Sequence, residues 1–247
     1  MKAAVLARDV VLVRGPDAAT YLQGQLSQDV NALAVGDSTF SLLLQPQGKV
    51  DAWLRVTRTA DDAFALDVDA GWGDHVVARL KRFLLRTKAE VEQVDWKVVA
   101  TFGDDVWSQT VVLGPDAGLP AGAEPVDYER LRIEAGIPRM GSELDSSTIP
   151  AAAGVVDRSV SFTKGCYTGQ ELVARIDARG DRVPTKLRRI AGEVPVGATL
   201  HDGDREVGRV TSAAGDVALG YVRREVEPPC EAVARWDGGE ATVRIEA

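Results

Sequence analysis

Cysteine and histidine are both scarce in this 247-residue sequence, which contains two of each: Cys166, Cys230, His75 and His201. The cysteines lie far apart, and neither belongs to a Cys-x-x-Cys pair. That arrangement excludes a zinc site built from neighbouring cysteines and a thioredoxin-type redox motif. Two histidines are too few for a histidine-rich metal site, and we expect both to be solvated side chains. No metal site is predicted.

Long apolar runs are also missing. No stretch approaches the roughly 20 apolar residues that a membrane-spanning helix needs, and Arg8 and Asp9 interrupt the first apolar segment too early for a signal peptide. We therefore expect a cytoplasmic protein with no membrane partner. The chain has 29 basic and 37 acidic residues, a net charge of −8, so stable direct binding to nucleic acid is not expected.

Apolar runs separated by turn signals are the main structural pattern that the sequence does contain. The turn signals Pro46-Gln47-Gly48-Lys49 and Asp61-Asp62 lie between such runs and predict an antiparallel meander. Strands are predicted over residues 10–13, 39–45, 50–58, 64–68, 89–94 and 97–102. Helices are predicted over residues 17–25, 74–86, 128–135 and 172–176.

The second of these helices is predicted from the helical spacing of its apolar residues, opposite a strongly basic face. The end of the third is predicted from Gly136 and Pro138, since glycine just after a helix followed by proline is the usual stop pattern.

After residue 184 the pattern changes to short alternating runs split by Gly, Pro and Asp. Strands are predicted over residues 187–191, 205–211, 217–222, 231–235 and 241–245. This is typical of a small β-barrel or sandwich. We therefore predict two domains, residues 1–183 and residues 184–247, with the boundary near Pro184.

The segment around Cys166 is the most informative part of the sequence. Gly165 and Gly169 bracket Cys166-Tyr167-Thr168, so the backbone can turn tightly or approach a ligand there. Cys166 precedes a predicted helix and lies two residues from Lys164, an environment that favours thiolate over thiol. These residues alone leave two interpretations, a reactive thiol or a small buried side chain beside a helix cap.

The octapeptide Lys164-Gly165-Cys166-Tyr167-Thr168-Gly169-Gln170-Glu171 resembles the signature of the YgfZ family, Lys-Gly-Cys-Tyr-x-Gly-Gln-Glu, without a departure. Four further segments, residues 15–30, 44–50, 79–86 and 130–138, are similar to parts of the same family. That family binds folate, is related to the glycine-cleavage T-protein, and helps to maintain iron–sulfur proteins.

The resemblance implies a fold, a cofactor and a set of site residues. The implied fold is α+β, a T-protein-like folate-binding body with antiparallel sheets and helices around a central opening, plus a small C-terminal β-barrel. The implied cofactor is tetrahydrofolate or a reduced folate derivative. The implied functional thiol is Cys166, with Lys164 beside it. The candidate cofactor contacts are Glu134, Tyr167, Gln170, Glu171 and Arg175.

Glu134 has a specific implied role. In the related folate enzymes the matching glutamate meets the pterin ring, and a carboxylate accepts two hydrogen bonds from an amino-pyrimidine edge. The alternative is a solvated glutamate near the end of a helix, where its negative charge is mildly unfavourable.

Basic residues outnumber acidic ones between residues 164 and 189. This segment contains seven Lys and Arg residues but only three acidic residues, Glu171, Asp177 and Asp181. An anionic partner such as the glutamate tail of a folate, or tRNA carried by a client enzyme, would suit this surplus. A solvated basic face is the alternative. Arg175, little more than two helical turns after Cys166, is the best candidate for a functional arginine.

Asp51 follows the predicted turn at residues 46–49. The T-protein places a catalytic carboxylate just after the corresponding turn and has paired aspartates there, whereas this chain has Asp51 followed by Ala52. If the active carboxylate aligns with Ala52, aminomethyl transfer is excluded; if it aligns with Asp51, transfer remains open. An outward-facing strand residue is the third interpretation.

Three functions follow from these observations. The first is an accessory protein, not a typical enzyme, that binds folate and supports iron–sulfur clients such as radical-type tRNA-modifying enzymes through Cys166. The second is a tetrahydrofolate-dependent aminomethyltransferase-type enzyme. The third is a binding module for a client protein or tRNA that uses no folate. The Cys166 signature and the single aspartate favour the first.

Overall fold

The structure is a computed structural model that describes residues 1–180 and 182–246. Asp181, counted above among the acidic residues, and Ala247, the last residue of the predicted second domain, lie outside the described residues. The strands are β1 (Lys2–Leu6), β2 (Arg8–Arg14), β3 (Ser38–Leu44), β4 (Val50–Ala60), β5 (Ala63–Asp69), β6 (Glu90–Val94), β7 (Lys97–Phe102), β8 (Thr110–Gly114), β9 (Glu124–Pro125), β10 (Thr185–Ala191), β11 (Thr199–Asp202), β12 (Arg205–Ala214), β13 (Val217–Arg223), β14 (Cys230–Trp236) and β15 (Gly239–Glu246). The α-helices are α1 (Ala18–Gln25), α2 (Gly73–Lys81), α3 (Tyr128–Glu134), α4 (Val156–Ser159) and α5 (Gln170–Asp177). Within these ranges every helix is too short or too polar to cross a membrane.

The main sheet of the body has five antiparallel strands in the order β3-β4-β5-β2-β6. Residues 52–57 of β4 are all buried, because the sheet is covered on both faces there. Helices α1 and α2 pack together over one face, and the Tyr21 hydroxyl donates a hydrogen bond to the carbonyl of Leu80 at 2.6 Å. The predicted meander through β3, β4 and β5 is thus confirmed.

A second sheet of the body has four strands in the order β8-β7-β1-β9. The sequence analysis missed β1, a short segment rich in alanine, which has little intrinsic preference for a strand. Its stability comes from distant partners, since β1 pairs antiparallel with β7 and parallel with β9. Ala3, Ala4 and Leu6 of this strand are buried.

Helix α2 ends earlier than its apolar spacing predicts. The predicted helix over residues 74–86 is wrong after Lys81, where the chain turns back toward β6. Phe83 and Leu85 lie beyond the helix and are 46% and 85% exposed. Arg86 has a φ of 62°, in the left-handed region that ends regular helix. The need to place β6 beside β2 therefore overrides the apolar periodicity.

The C-terminal strands close into a six-stranded barrel in the order β10-β13-β12-β11-β14-β15. Ile190, Leu200, Val210 and Ile245 are among the buried residues that fill it. The predicted small barrel is confirmed, although the four-residue strand β11 was not predicted. The division into residues 1–183 and 184–247 remains a prediction.

A buried polar network joins the barrel to the body through Glu143, whose side chain is fully buried. Its carboxylate accepts hydrogen bonds from the Arg132 guanidinium at 3.2 Å and from the hydroxyls of Thr211 and Ser212 at 2.7 and 2.6 Å. The Tyr221 hydroxyl donates to the Glu143 carbonyl oxygen at 2.9 Å. Because β12 and β13 supply three of these donors, the network fixes the barrel against the body.

Candidate functional site

The loop between α4 and α5 presents Cys166 on the surface of the body. The thiol is free and Cys166 is exposed, which removes the interpretation of a small buried cysteine. Gly169, with a φ of 82°, ends this loop directly before α5. Helix α5 then packs Val173 into the main core. We call residues 164–169 the Cys166 loop.

Lys164 anchors the first end of the Cys166 loop. Its ammonium Nζ donates to the carbonyl oxygens of Gln23 and Leu26, both at 2.6 Å, and of Gln28 at 3.0 Å. These carbonyls lie at or just after the C-terminus of α1, where they lack helical partners and attract a cation. Burial lowers the pKa of Lys164 to about 8. All three donors of the ammonium are therefore used by backbone near α1.

Tyr167 and Gln170 make contacts within the same segment. The Tyr167 ring centroid lies 5.2 Å from the Lys164 ammonium, a cation–π contact. Burial raises the pKa of the Tyr167 phenol to about 12. The Tyr167 backbone N–H donates to Gln170 Oε1 at 3.1 Å. Both residues, predicted as cofactor contacts, thus have stabilising contacts inside the loop.

A contact between two glycines anchors the other end of the Cys166 loop. A Cβ placed on Gly169 would lie 2.5 Å from the Gln45 carbonyl oxygen and 2.7 Å from the Leu44 Cβ. A Cβ on Gly48 would lie 2.5 Å from the Leu172 Cβ and 2.9 Å from the Gly169 carbonyl oxygen. The turn between β3 and β4 and the start of α5 therefore approach at a distance that only glycine permits.

Glu171 and Arg175 lie on the exposed side of α5. Neither makes a side-chain hydrogen bond or an ion pair with any other residue in the part of the chain that the structure describes. Both remain predicted contacts for a ligand or partner.

Glu134, at the end of α3, lies on a cleft of about 790 Å³. Phe102, Trp107 and Leu131 form apolar walls of this cleft. The Glu134 carboxylate pairs with the Arg130 Nε at 2.7 Å, four residues earlier. We call this the Glu134 cleft.

Part of the Glu134 cleft fits the pterin ring of the folate that the family resemblance implies, whereas Asp104, Asp105 and Glu124 make the rest of its lining acidic. Its volume is in the range of roughly 300–1,000 Å³ that small-molecule sites occupy. Aromatic walls suit the flat pterin ring, and a half-exposed carboxylate can accept hydrogen bonds from an amino-pyrimidine edge. These residues would hold the pterin, and the folate would supply a one-carbon carrier.

Aromatic and buried polar side chains adjoin the same cleft, and the sequence analysis missed them. Phe40 stacks on Trp53 at 4.6 Å, and Trp107 meets both rings edge-on at 6.1 Å. The Arg55 guanidinium lies over Phe40 at 5.5 Å. Among the described residues, Arg55 Nη1, Thr57 Oγ1 and Gln109 Oε1 are buried without a hydrogen-bond partner.

Unpaired buried polar atoms are costly, so these three atoms are candidates to bond ordered water or a polar ligand group. A sequence signal was available. Residues 53, 55 and 57 alternate along a predicted strand and therefore share one face.

Asp51 is the extra residue of a β-bulge. The register passes from Leu43 opposite Ala52 to Leu44 opposite Val50. Bulges often re-aim a side chain near functional sites. Here the Asp51 carboxylate contacts His75 Nε2 and Arg79 Nε, each at 2.9 Å. His75, predicted as a solvated residue, is 45% exposed and bonded to this carboxylate.

The predicted site residues form two separate groups. Arg79, which pairs with Asp51, also donates to the Gln25 side chain at 3.1 Å. Gln25 precedes Leu26, whose carbonyl oxygen accepts from Lys164. Glu134 lies on its own cleft, which no residue of the Cys166 loop lines. Contacts thus link Asp51 to the anchor of the Cys166 loop, whereas Glu134 lies on a cleft that this loop does not line.

Comparison with known families matches both parts of the chain. Residues 7–119 match the GCVT N-terminal domain, and residues 182–246 match the CAF17 C-terminal beta-barrel domain. The crystal structure of glycine cleavage system aminomethyltransferase T from Bartonella henselae superposes with a TM-score of 0.80 at 20% identity, over 100% of this chain and 85% of that one. The body and barrel thus share the T-protein-like fold.

Two relatives in sequence carry names that refer to tRNA modification or to iron–sulfur cluster assembly. The tRNA-modifying protein YgfZ of Klebsiella pneumoniae is 28% identical over 95% of this chain and 88% of its own length. An uncharacterized protein of Haemophilus influenzae is 31% identical over 69% of this chain and 66% of its own length. The mitochondrial iron-sulfur cluster assembly factor IBA57 homolog of Neurospora crassa is 27% identical over 70% of this chain, which spans 49% of that protein. With both domain matches in order and YgfZ proteins among its relatives, the chain belongs to the YgfZ family.

Proposed function

We propose that this chain is a cytoplasmic, folate-binding accessory protein that supports the assembly or repair of iron–sulfur enzymes, with Cys166 as the residue that acts on the client. The names of the relatives, a tRNA-modifying protein and an iron-sulfur cluster assembly factor, support this direction. We propose radical-type tRNA-modifying enzymes as the clients.

The anchoring of the Cys166 loop is the observation that carries the proposal. Lys164 holds one end to α1 through three carbonyls, and the contact of Gly169 with Gly48 holds the other. A cysteine that only fills space is usually buried, whereas this one is exposed on a fixed loop. Fixing the backbone while exposing the thiol is what presentation to a partner requires.

The exposed sulfur of Cys166 suits two kinds of contact with a client. As a soft ligand it binds iron of a cluster transiently, and as a nucleophile it exchanges with a disulfide or persulfide. Glu171 and Arg175, exposed on α5 a few residues after the thiol, supply polar groups to the same surface.

A complementation experiment tests the role of Cys166. In a deletion strain, the activity of an iron–sulfur tRNA-modifying enzyme is measured with wild type, Cys166→Ala, Cys166→Ser and Cys230→Ala. Cys230 is the half-buried cysteine of the barrel and the matched control. We expect both Cys166 variants to fail and Cys230→Ala to restore activity. Full restoration by Cys166→Ala would refute the role of the thiol.

A fluorescence titration tests folate binding at the Glu134 cleft. Five tryptophans are available, and Trp107 lines the cleft, so we expect a reduced folate to quench emission saturably. Glu134→Gln removes a charged acceptor worth roughly 1.5–3 kcal/mol, which lowers affinity about tenfold or more. Glu240→Gln, an exposed carboxylate of the barrel that also pairs with an arginine and lies outside the cleft, should leave affinity unchanged.

The absence of saturable folate binding would favour a binding module for a client protein or tRNA instead. The tetrahydrofolate-dependent transferase has less support, because this chain has the single Asp51, followed by Ala52, where the T-protein has paired aspartates. Methylene transfer to a lipoyl carrier protein by the purified chain would support the transferase instead.

A further inference from the structure

A second cleft, of about 660 Å³, lies on the outside of the barrel where the chain enters it from the body. Arg182 and Pro184 bound it on the body side, and residues of β12 and β13 form its floor. Four arginines line it: Arg182, Arg209, Arg223 and Arg224. Neither the proposed folate site nor the Cys166 loop includes any of these residues.

The positive charge of this arginine cleft is only partly neutralised. Two carboxylates, Glu206 and Glu225, line the cleft beside the four arginines. Glu225 lies 3.8 Å from both Arg224 and Arg205 and so shares its charge between them. In the described ranges, Arg182, Arg209 and Arg223 have no carboxylate within salt-bridge distance, and all three are exposed. Unneutralised guanidinium groups gathered around one concavity in a chain of net charge −8 favour an anionic ligand.

The strands of a closed barrel hold two of these arginines at fixed positions. Arg209 of β12 pairs with Tyr221 of β13, and Arg223 lies two residues further along β13, opposite Thr185 of β10. Side chains two residues apart on a strand point to the same side. Arg209, Tyr221 and Arg223 therefore share the outer face of the barrel, with the Thr185 hydroxyl beside them.

The chemistry of the cleft matches a phosphate group. Each guanidinium offers a planar pair of N–H donors that fits two oxygens of a phosphate, and the Thr185 hydroxyl can donate to a third. We propose that the arginine cleft of the barrel is a binding site for the phosphate group of an anionic ligand. Arg209 and Arg223 bind the phosphate oxygens, and Arg182 lies at the body side of the cleft.

Titration of the full chain with sodium pyrophosphate, monitored by calorimetry and by amide NMR shifts, tests this site. We expect saturable binding with shifts at Gly208 and Val222, which lie between the two arginines, and weaker binding at higher salt. Arg209→Ala with Arg223→Ala should lower the affinity about tenfold or more, since charged hydrogen bonds are lost. Arg244→Ala is the matched control, an exposed arginine of the same barrel outside the cleft, and should bind as wild type.

Further arms distinguish the source of the phosphate. Competition between bulk tRNA and pyrophosphate would assign the site to nucleic-acid phosphates, and pyrophosphate binding without competition would assign it to a free phosphate ester. A triglutamate peptide that binds while pyrophosphate does not would overturn the phosphate assignment. So would the absence of saturable pyrophosphate binding, or an equal loss in the Arg244→Ala control. Arg209→Lys, which keeps the charge but not the paired donors, should lie between wild type and the double variant.

Discussion

Gly169→Ala is expected to destabilise the protein through the anchor of the Cys166 loop. At a φ of 82°, a residue with a Cβ costs roughly 1–2 kcal/mol more than glycine. The added Cβ would also stand 2.5 Å from the Gln45 carbonyl oxygen and 2.7 Å from the Leu44 Cβ, and such overpacking costs roughly 1–3 kcal/mol. Because the two effects are distinct, the free energy of unfolding should fall by about 2–5 kcal/mol.

Two other glycines separate these effects in a urea unfolding experiment followed by tryptophan fluorescence. Gly203 has a φ of 60° with open space around it, and Gly165 has open space without a positive φ. Gly203→Ala should therefore lose only the backbone part, roughly 1–2 kcal/mol, and Gly165→Ala less than about 0.5 kcal/mol. If Gly169→Ala cost no more than Gly203→Ala, the close contact between the loop and the β3–β4 turn would be refuted.

Three further predictions follow from the same contacts. Glu143→Gln should cost about 1–3 kcal/mol of unfolding free energy in urea, because it removes the buried carboxylate that Arg132 and the Ser212 hydroxyl share, while Arg132 keeps its ion pair with Glu129. Glu134→Gln, in an exposed ion pair, should cost less than about 1 kcal/mol. NMR titration of Lys164 should give a midpoint near 8. Because the unfolded chain holds this proton more tightly, the free energy of unfolding should increase as pH rises from 8 to 10.5. A titration midpoint at 10.5 would contradict the burial of Lys164. Cys166→Ala should leave folate affinity unchanged in the fluorescence titration, and a marked loss would mean that thiol and cleft are one site.

Local sequence patterns predicted those elements whose stability is local or whose apolar pattern is regular. Strand β7 follows directly from a short apolar run, and the stop of α3 at Gly136 follows from turn chemistry. Strand β1 could not be found in this way, because it depends on pairing with β7 and β9, about a hundred residues away. The early end of α2 has the same cause, since its apolar spacing continues past Lys81 while the chain must turn toward β6.

The candidate site was predictable in part for the same reason. The Cys166 signature is contiguous, so the sequence revealed it, and the family resemblance pointed to Glu134. The partners of Lys164 lie 136 to 141 residues away in sequence, and no local pattern reveals such a contact. The register at Asp51 stayed open because a bulge at that position adds one residue to the strand, and spacing alone does not reveal bulges.

The separation of Cys166 from the Glu134 cleft bears on what kind of chemistry the chain performs. Direct transfer of a one-carbon unit between folate and the thiol would require both reacting atoms in one pocket, within about 3–3.5 Å of each other. The cleft that fits the pterin contains no residue of the Cys166 loop, and that loop is fixed to α1 and to the β3–β4 turn. Folate would then act by binding and stabilising the folded chain by mass action, while the exposed thiol meets the client. This separation argues against direct transfer of a one-carbon unit between folate and the Cys166 thiol.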